Sequence, residues 1–363
     1  MKIGILTFHR ALNYGAVLQC YALYQVLSEM GHEVEVIDYR PAAIEKERVL
    51  FSGVELQKRR GFFYKMRYII STSLNYYRKK KVSAVFDRFL ESNFQMSPLV
   101  RGINDIPQYY DVIVFGSDQI WSNGICYGLD LVYWGQFNHA DTKLVTYAAS
   151  MGKHNIVSDS ELTCIRAYIQ SFDSISVREE SLKRFFKQNF NVDSTLVIDP
   201  TLLIAHDVFD RLAVKPNLDR YVLLFTLEKD DNAIAFATNM SKQLSCPIVR
   251  MSVMRSVFSP AEKTIKALEI SPVEFCGYIK YATCVVCISF HGTAFSVIYR
   301  KNFYCLKSNQ QDRSYNLLSS IGLLDRMISS NEKVDFTPID YSQTDNEINK
   351  LQMASMQFLN NTI

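Results

Sequence analysis

Five short segments place reactive or small side chains just after apolar runs. They are Gly116-Ser117-Asp118-Gln119, Ala149-Ser150-Met151-Gly152, Arg178-Glu179, Asp199-Pro200-Thr201 and Ser289-Phe290-His291-Gly292-Thr293. His291 stands where an apolar run passes into a helical pattern, so the free amides of a helix N-terminus lie beside an imidazole that titrates near neutrality. Such a histidine either moves a proton, holds an anion, or caps a helix. Arg178 presents a planar fork suited to carboxylate or phosphate, unless a neighbouring acid takes it as an ion pair. Asp118, after a Gly-Ser turn, is a proton acceptor or a helix cap.

The chain has no H-E-x-x-H, no Walker-type glycine loop and no D-x-D, which disfavours a metal-dependent sugar-nucleotide mechanism; no metal is expected. Its eight cysteines are scattered singly apart from Cys284-Val285-Val286-Cys287. With no second pair at zinc spacing, that pair reads as small apolar residues of a buried strand. A net charge of +3 gives no bulk case for nucleic acid, and the 48% hydrophobic content is that of a globular protein. No apolar stretch reaches the ~20 residues of a membrane span, and the short run Ile3–Phe8 reads as a first buried strand. The expected location is the cytosol.

The elements that must position these residues follow from periodicity. Strands are expected over Lys2–Phe8, Glu33–Tyr39, Tyr109–Phe115, Lys143–Ala148, Ser174–Val177 and Leu196–Ile198, with a helix running from about Gly15 to Met30. A second series has strands at Tyr221–Leu227, Pro247–Met251, Cys284–Phe290 and Phe303–Leu306. Its helices are Asp231–Leu244, one opening at Ser271-Pro272, His291–Tyr299 and one from Asp312. Alternation of this kind makes parallel α/β sheets whose ligands lie at the carboxyl ends of strands. The predicted fold is two Rossmann-like domains facing a cleft, the GT-B arrangement. Residues 1–205 form the first domain, on the acceptor side, and 206–335 the second, on the donor side. A helix within 336–363 is read as crossing back to the first.

One insertion, residues 56–85, breaks the alternation. It carries nine basic residues (Lys58, Arg59, Arg60, Lys65, Arg67, Arg78, Lys79, Lys80 and Lys81) and no acid, interleaved with Phe62, Phe63, Tyr64, Tyr68, Ile69, Ile70, Tyr76 and Tyr77. A basic amphipathic helix suits the anionic inner surface of a membrane. The competing readings are an ordinary solvated helix with a normal apolar side, or nucleic acid, for which no motif is present.

Six segments in register resemble the polysaccharide pyruvyl transferase family. They are Asn13–Gln19, Phe115–Trp121, Tyr147–Gly152, Ser176–Glu179, Asp199–Leu203 and Ser289–Ser296. The resemblance implies transfer of a pyruvyl group from phosphoenolpyruvate to a sugar diol, with release of phosphate and no cofactor. It further implies a galactose-type acceptor ketalated at O4 and O6 on an undecaprenyl-diphosphate-linked oligosaccharide, within capsular or exopolysaccharide synthesis at the inner membrane face. On this reading His291 protonates the donor or holds its phosphate, and Asp118 accepts a sugar proton. Arg178 and Arg313 supply cations, with Ser289, Gly292 and Thr293 lining the donor. Asn13, Gly15, Gln119 and Trp121 line the acceptor. One departure is Ile288, where the family usually has an acid before the Ser-Phe-His segment. Two other readings stand beside it: a GT-B glycosyltransferase using a nucleotide sugar, and a non-catalytic scaffold for polysaccharide assembly at a membrane.

Overall fold

A computed structural model describes residues 1–363 except 54, 55, 57–60, 75, 138–140, 153–157, 205, 227–229, 252–263, 268 and 308–311. The chain divides into two compact units, residues 1–204 with 354–363, and residues 205–353. Each is built on one six-stranded sheet in which every neighbouring pair is parallel.

In the first unit the strands are β1 (Lys2–Leu6), β2 (Glu33–Val36), β3 (Val112–Asp118), β4 (Lys143–Ala149), β5 (Ser176–Val177) and β6 (Thr195–Leu196), ordered 2-1-3-4-5-6. The order reverses between β1 and β3, which pair through Ile3↔Val112 to Leu6↔Phe115. Near-continuous apolar runs such as Val112–Phe115 are what a sheet covered on both faces requires. The helix Tyr14–Glu29 follows β1 and is capped by the Asn13 side chain, whose Oδ1 accepts from the amides of Gly15 (2.9 Å) and Ala16 (3.3 Å).

The second unit has β7 (Val222–Phe225), β8 (Ile248–Met251), β9 (Thr264–Ala267), β10 (Cys284–Cys287), β11 (Phe303–Leu306) and β12 (Met327–Ile328). Their spatial order is β12-β11-β10-β7-β8-β9, the Rossmann order, and it reverses between β7 and β10. Neither β9 nor β12 stood out in the sequence: β12 has only two residues, and β9, Thr264-Ile265-Lys266-Ala267, has a single large apolar residue. The elements expected from the sequence fall within a few residues of their predicted bounds, whereas helices Asp159–Ile169 and Glu180–Phe190 were not among them. Helix Asp231–Leu244 matches at both ends, and Pro272–Lys280 starts at a Ser271/Glu274 capping box. Cys284 and Cys287 lie buried in β10, and among the described residues no group of three or more His, Cys, Asp or Glu could hold a metal.

A helix spans Ser342–Thr362, and its last turns belong to the first unit. There the Ile198 amide donates to Ser355 Oγ (3.1 Å), and the rings of Phe358 and Tyr147 lie 6.5 Å apart. Among the described residues no helix is long and apolar enough to cross a membrane.

Candidate functional site

In parallel sheets the loops at a point of strand reversal splay apart and leave a crevice for ligand. The first unit's reversal is floored by a buried polar network. Gln19 Nε2 donates to Thr7 Oγ1 (3.1 Å), Thr7 Oγ1 to the Ser117 carbonyl (2.8 Å), and Ser117 Oγ to Gln19 Oε1 (2.9 Å). All three side chains are fully buried, so their mutual bonds replace those lost to water. This ties the tips of β1 and β3 to the helix between them. Gly116 adopts φ +108°, and a Cβ there would meet the Tyr147 carbonyl at 2.5 Å, so only glycine fits.

Next along the sheet, the tips of β3, β4, β5 and β6 converge on one guanidinium. Arg178 is buried and forms an ion pair and hydrogen bond with Asp199. Its Nη2 lies 3.6 Å from Asp118 Oδ1, and its Nε 3.9 Å from Glu179 Oε1. Burial works against the charge of Arg178, but Asp199, Glu179 and Asp118 outweigh it and raise its pKa. The carboxylates are themselves anchored. Glu179 accepts from Ser150 Oγ (2.7 Å), Asp199 from the Thr201 hydroxyl (2.7 Å), and Asp118 from the Gln119 amide (2.8 Å). Gly152, at φ +65°, leaves room for the Gln119 side chain, which a Cβ would meet at 2.3 Å.

One residue expected to line the acceptor, Trp121, has other surroundings. Trp121 is 1% exposed; its Nε1 donates to the Tyr133 carbonyl (2.8 Å), and its ring stacks on Trp134 at 4.7 Å. Its aromatic face is therefore covered by core, because the chain turns inward immediately after Gln119. Asn13 and Gly15 are joined to each other in the helix cap described above.

Sequence reading passed over a further cluster at the tips of β1 and β2. His9 is fully buried, with Nε2 3.2 Å from Asp38 Oδ1 and Nδ1 3.2 Å from the Thr7 carbonyl. Arg40 Nε donates to both Asp38 oxygens (3.0 and 3.1 Å). Burial holds the His9 pKa below its ordinary value despite Asp38. Asp38 is itself opposed by burial, but its bonds to His9 and Arg40 carry its pKa well below the usual carboxylate range. The signal was long-range: His9 and Asp38 are far apart in sequence and meet only when β1 pairs with β2.

In the second unit, helix Phe290–Ile298 begins at the β7/β10 reversal. Ser289 caps it, its Oγ accepting from the Gly292 amide (3.0 Å). Thr293 Oγ1 donates to the Ser289 carbonyl (3.2 Å) and lies 3.5 Å from Cys287 Sγ. A Cβ on Gly292 would meet Cys287 Cβ, Phe225 Cδ1 and Ser289 Oγ, each at 2.9 Å. Gly292 thus lets the helix start settle onto the ends of both strands. Ser289, Gly292 and Thr293 hold the geometry of His291, the second residue after the cap. The Phe290 ring meets the His291 ring edge-on at 5.1 Å, and the Arg313 guanidinium lies 5.6 Å from the centre of that same Phe290 ring. An imidazole, a guanidinium and the positive end of a helix are thereby grouped around Phe290.

The model of the polysaccharide pyruvyl transferase family matches residues 13–310. The chain belongs to that family. The span includes Asn13, Asp118, Arg178 and His291 and ends just before Arg313. No curated protein matches this polysaccharide pyruvyl transferase family member. Among solved structures, the UDP-GlcNAc 2-epimerase of Neisseria meningitidis bound to UDP-GlcNAc is 10% identical, with 100% of this chain and 93% of that one covered at a TM-score of 0.50. That likeness shows the shared GT-B fold. Also similar are the UDP-GlcNAc 2-epimerase of Methanocaldococcus jannaschii in complex with UDP-GlcNAc and UDP (11% identity, 97% and 100% covered, TM-score 0.46) and the glycosyltransferase SnogD of Streptomyces nogalater (11%, 99% and 95%, TM-score 0.44).

Proposed function

We propose that this chain transfers the pyruvyl group of phosphoenolpyruvate to two hydroxyls of a sugar, closing a cyclic ketal and releasing phosphate. The observation that carries the reading is the opposite charge of the two sets of strand tips. The first unit gathers three carboxylates, Asp118, Glu179 and Asp199, around a single guanidinium. Excess negative charge repels an anionic donor and suits hydroxyl donors, so the sugar is assigned there. The second unit offers His291, Arg313 and a helix N-terminus, the groups that hold a compact anion. Phosphoenolpyruvate is assigned to it.

In the reaction, His291 delivers a proton to the methylene carbon of the donor, making that carbon a methyl group and its neighbour electrophilic. One sugar hydroxyl adds to the electrophilic carbon, and Asp118 accepts its proton. The carbon–oxygen bond to phosphate then breaks as the proton taken up by Asp118 passes to the leaving oxygen, so that phosphate departs as the HPO4 dianion, stabilised by Arg313. The second hydroxyl adds and gives its proton back to His291, which completes the ketal and restores the acid. Two carbon–oxygen bonds form, one breaks, and the products are the ketal and inorganic phosphate. Protein groups suffice, with no cofactor. Arg178 acts as a positioning residue that holds the Asp118 and Glu179 carboxylates in place. Gln119 and Asn13 border the acceptor.

The acceptor proposed is a galactose-type residue ketalated across O4 and O6 on an undecaprenyl-diphosphate-linked oligosaccharide, as in capsule or exopolysaccharide synthesis. The test follows phosphate release from phosphoenolpyruvate with aryl β-galactosides and lipid-linked saccharides, together with the mass of the acceptor, for wild type and His291→Ala. Gain of one pyruvyl ketal, abolished in the variant, is the expected result. Turnover of a nucleotide sugar without phosphate release from phosphoenolpyruvate would overturn it.

A further inference from the structure

The insertion after β2 contains two helices, Phe62–Leu74 and Tyr76–Asn93; Lys58, Arg59 and Arg60 lie outside the described residues. The second helix is anchored. Phe86 stacks on Tyr14 at 5.4 Å and Phe89 meets Tyr21 edge-on at 5.8 Å, both on the helix that follows β1. The first helix is inverted relative to an ordinary surface helix. Its inward side carries Tyr68, whose hydroxyl accepts from the Ser52 amide (3.1 Å), and Thr72. Its opposite side carries Phe63, Met66, Ile70 and Leu74, one apolar ridge at helical spacing, of which Phe63 is 85% and Leu74 81% exposed. Phe62 and Tyr77, each 72% exposed, extend the ridge.

Such an apolar surface needs an occupant. Lys65 and Arg67 flank the ridge, Arg78, Lys79, Lys80 and Lys81 follow it, and no acid occurs from Leu56 to Phe86. Asp87, the first acid after it, is taken by Arg48. Protein–protein interfaces are depleted in lysine at their centres. An apolar ridge bordered by unbroken positive charge is the pattern of a helix lying in the plane of an anionic bilayer. We propose that helix Phe62–Leu74 inserts its Phe63–Met66–Ile70–Leu74 ridge into the interface of a membrane rich in anionic lipid, with the surrounding lysines and arginines on the headgroups. Because the neighbouring helix packs on Tyr14–Glu29, whose capped start opens the first unit's crevice, the anchor holds that crevice in fixed relation to the lipid surface. The proposal stands independently of the reaction assigned above.

The test is co-sedimentation of the full chain with vesicles of phosphatidylcholine alone and of phosphatidylcholine mixed with phosphatidylglycerol. Wild type is expected to sediment with the mixed vesicles and not with the neutral ones. Phe63→Ser/Ile70→Ser/Leu74→Ser, all at exposed positions, should weaken binding about tenfold or more while thermal unfolding stays where it was. Arg67→Glu/Lys80→Glu provides a second variant with the apolar ridge intact, and it too should lose the mixed vesicles. Wild-type protein that ignores both vesicle types, or variants that bind as wild type does, would sink the proposal. So would a wild-type dimer that the triple variant converts to monomer without any vesicle binding, since the ridge would then belong to a second copy. Pyruvyl transfer to a soluble aryl galactoside should be unchanged in both variants. Vesicle binding without any transfer would retain this proposal and remove the reaction.

Discussion

At the strand tips of the first unit, Asp118, Glu179 and Asp199 close on one buried guanidinium, and each carboxylate has a hydroxyl or amide donor besides. At those of the second, an imidazole and a guanidinium share an aromatic neighbour at the start of a helix that glycine lets down onto the sheet. The two sheets are alike in strand number and parallel pairing, so the difference lies in the loops. One set of loops forms a rigid array of proton acceptors, and the other a positive end with a titratable group. A shared architecture thus carries strand tips of opposite charge, which is how function comes to reside in sites rather than folds.

The contrast can be broken at its chemical end first. His291→Ala should reduce kcat for pyruvyl transfer by about 10²–10⁴-fold, the usual contribution of a general acid, with the melting temperature held. Arg178→Met tests the other side, where the expected loss is stability. Stranding buried carboxylates costs about 3–5 kcal/mol, readable as a lower urea midpoint, and Arg313→Ala should show no comparable drop. If the two arginine variants were equally destabilised, the distinction between a structural and a ligand-facing cation would fail. Gly292→Ala forces a methyl against Cys287, Phe225 and Ser289. It should cost about 1–3 kcal/mol and lower turnover together with stability. Ser289→Ala, which removes only the cap, should cost about 1 kcal/mol.

A pH measurement sharpens the picture of the first unit. Burial lowers the His9 pKa in the folded protein, whereas the unfolded chain takes up that proton near the ordinary value. The unfolded state therefore binds more protons, and stability falls as pH drops through about 6.5. Melting temperatures between about pH 7.5 and 5.5 should show that fall, flattened in His9→Gln. Asp38, whose folded pKa is depressed, adds stability that is lost only at more acid pH.

What was legible in the sequence was what is local. Ser271-Pro272 with Glu274 announces a helix start within four residues, and the apolar runs of β3 and β10 announce buried parallel strands. The convergence of four polar strand tips was legible because parallel topology brings carboxyl ends to one edge. Direction and partnership were not. Trp121 follows Gln119 closely enough to suggest a sugar platform, yet only tertiary packing shows its ring covered by Trp134. Arg178 allowed a clamp or an ion pair, and three carboxylates from distant segments make it an ion pair. The insertion's charge was plain in the sequence. That its apolar side faces outward depends on which side meets Ser52, and that contact is not local.

The first unit is discontinuous along the chain: its strands are finished by Leu196, but residues 354–363 complete it only after all of the second unit. During synthesis the sheet of the first unit can form early while Ile198 and Tyr147 still lack Ser355 and Phe358. Truncations that remove only those last turns should therefore leave a nascent chain whose second unit matures while its first remains open to proteolysis.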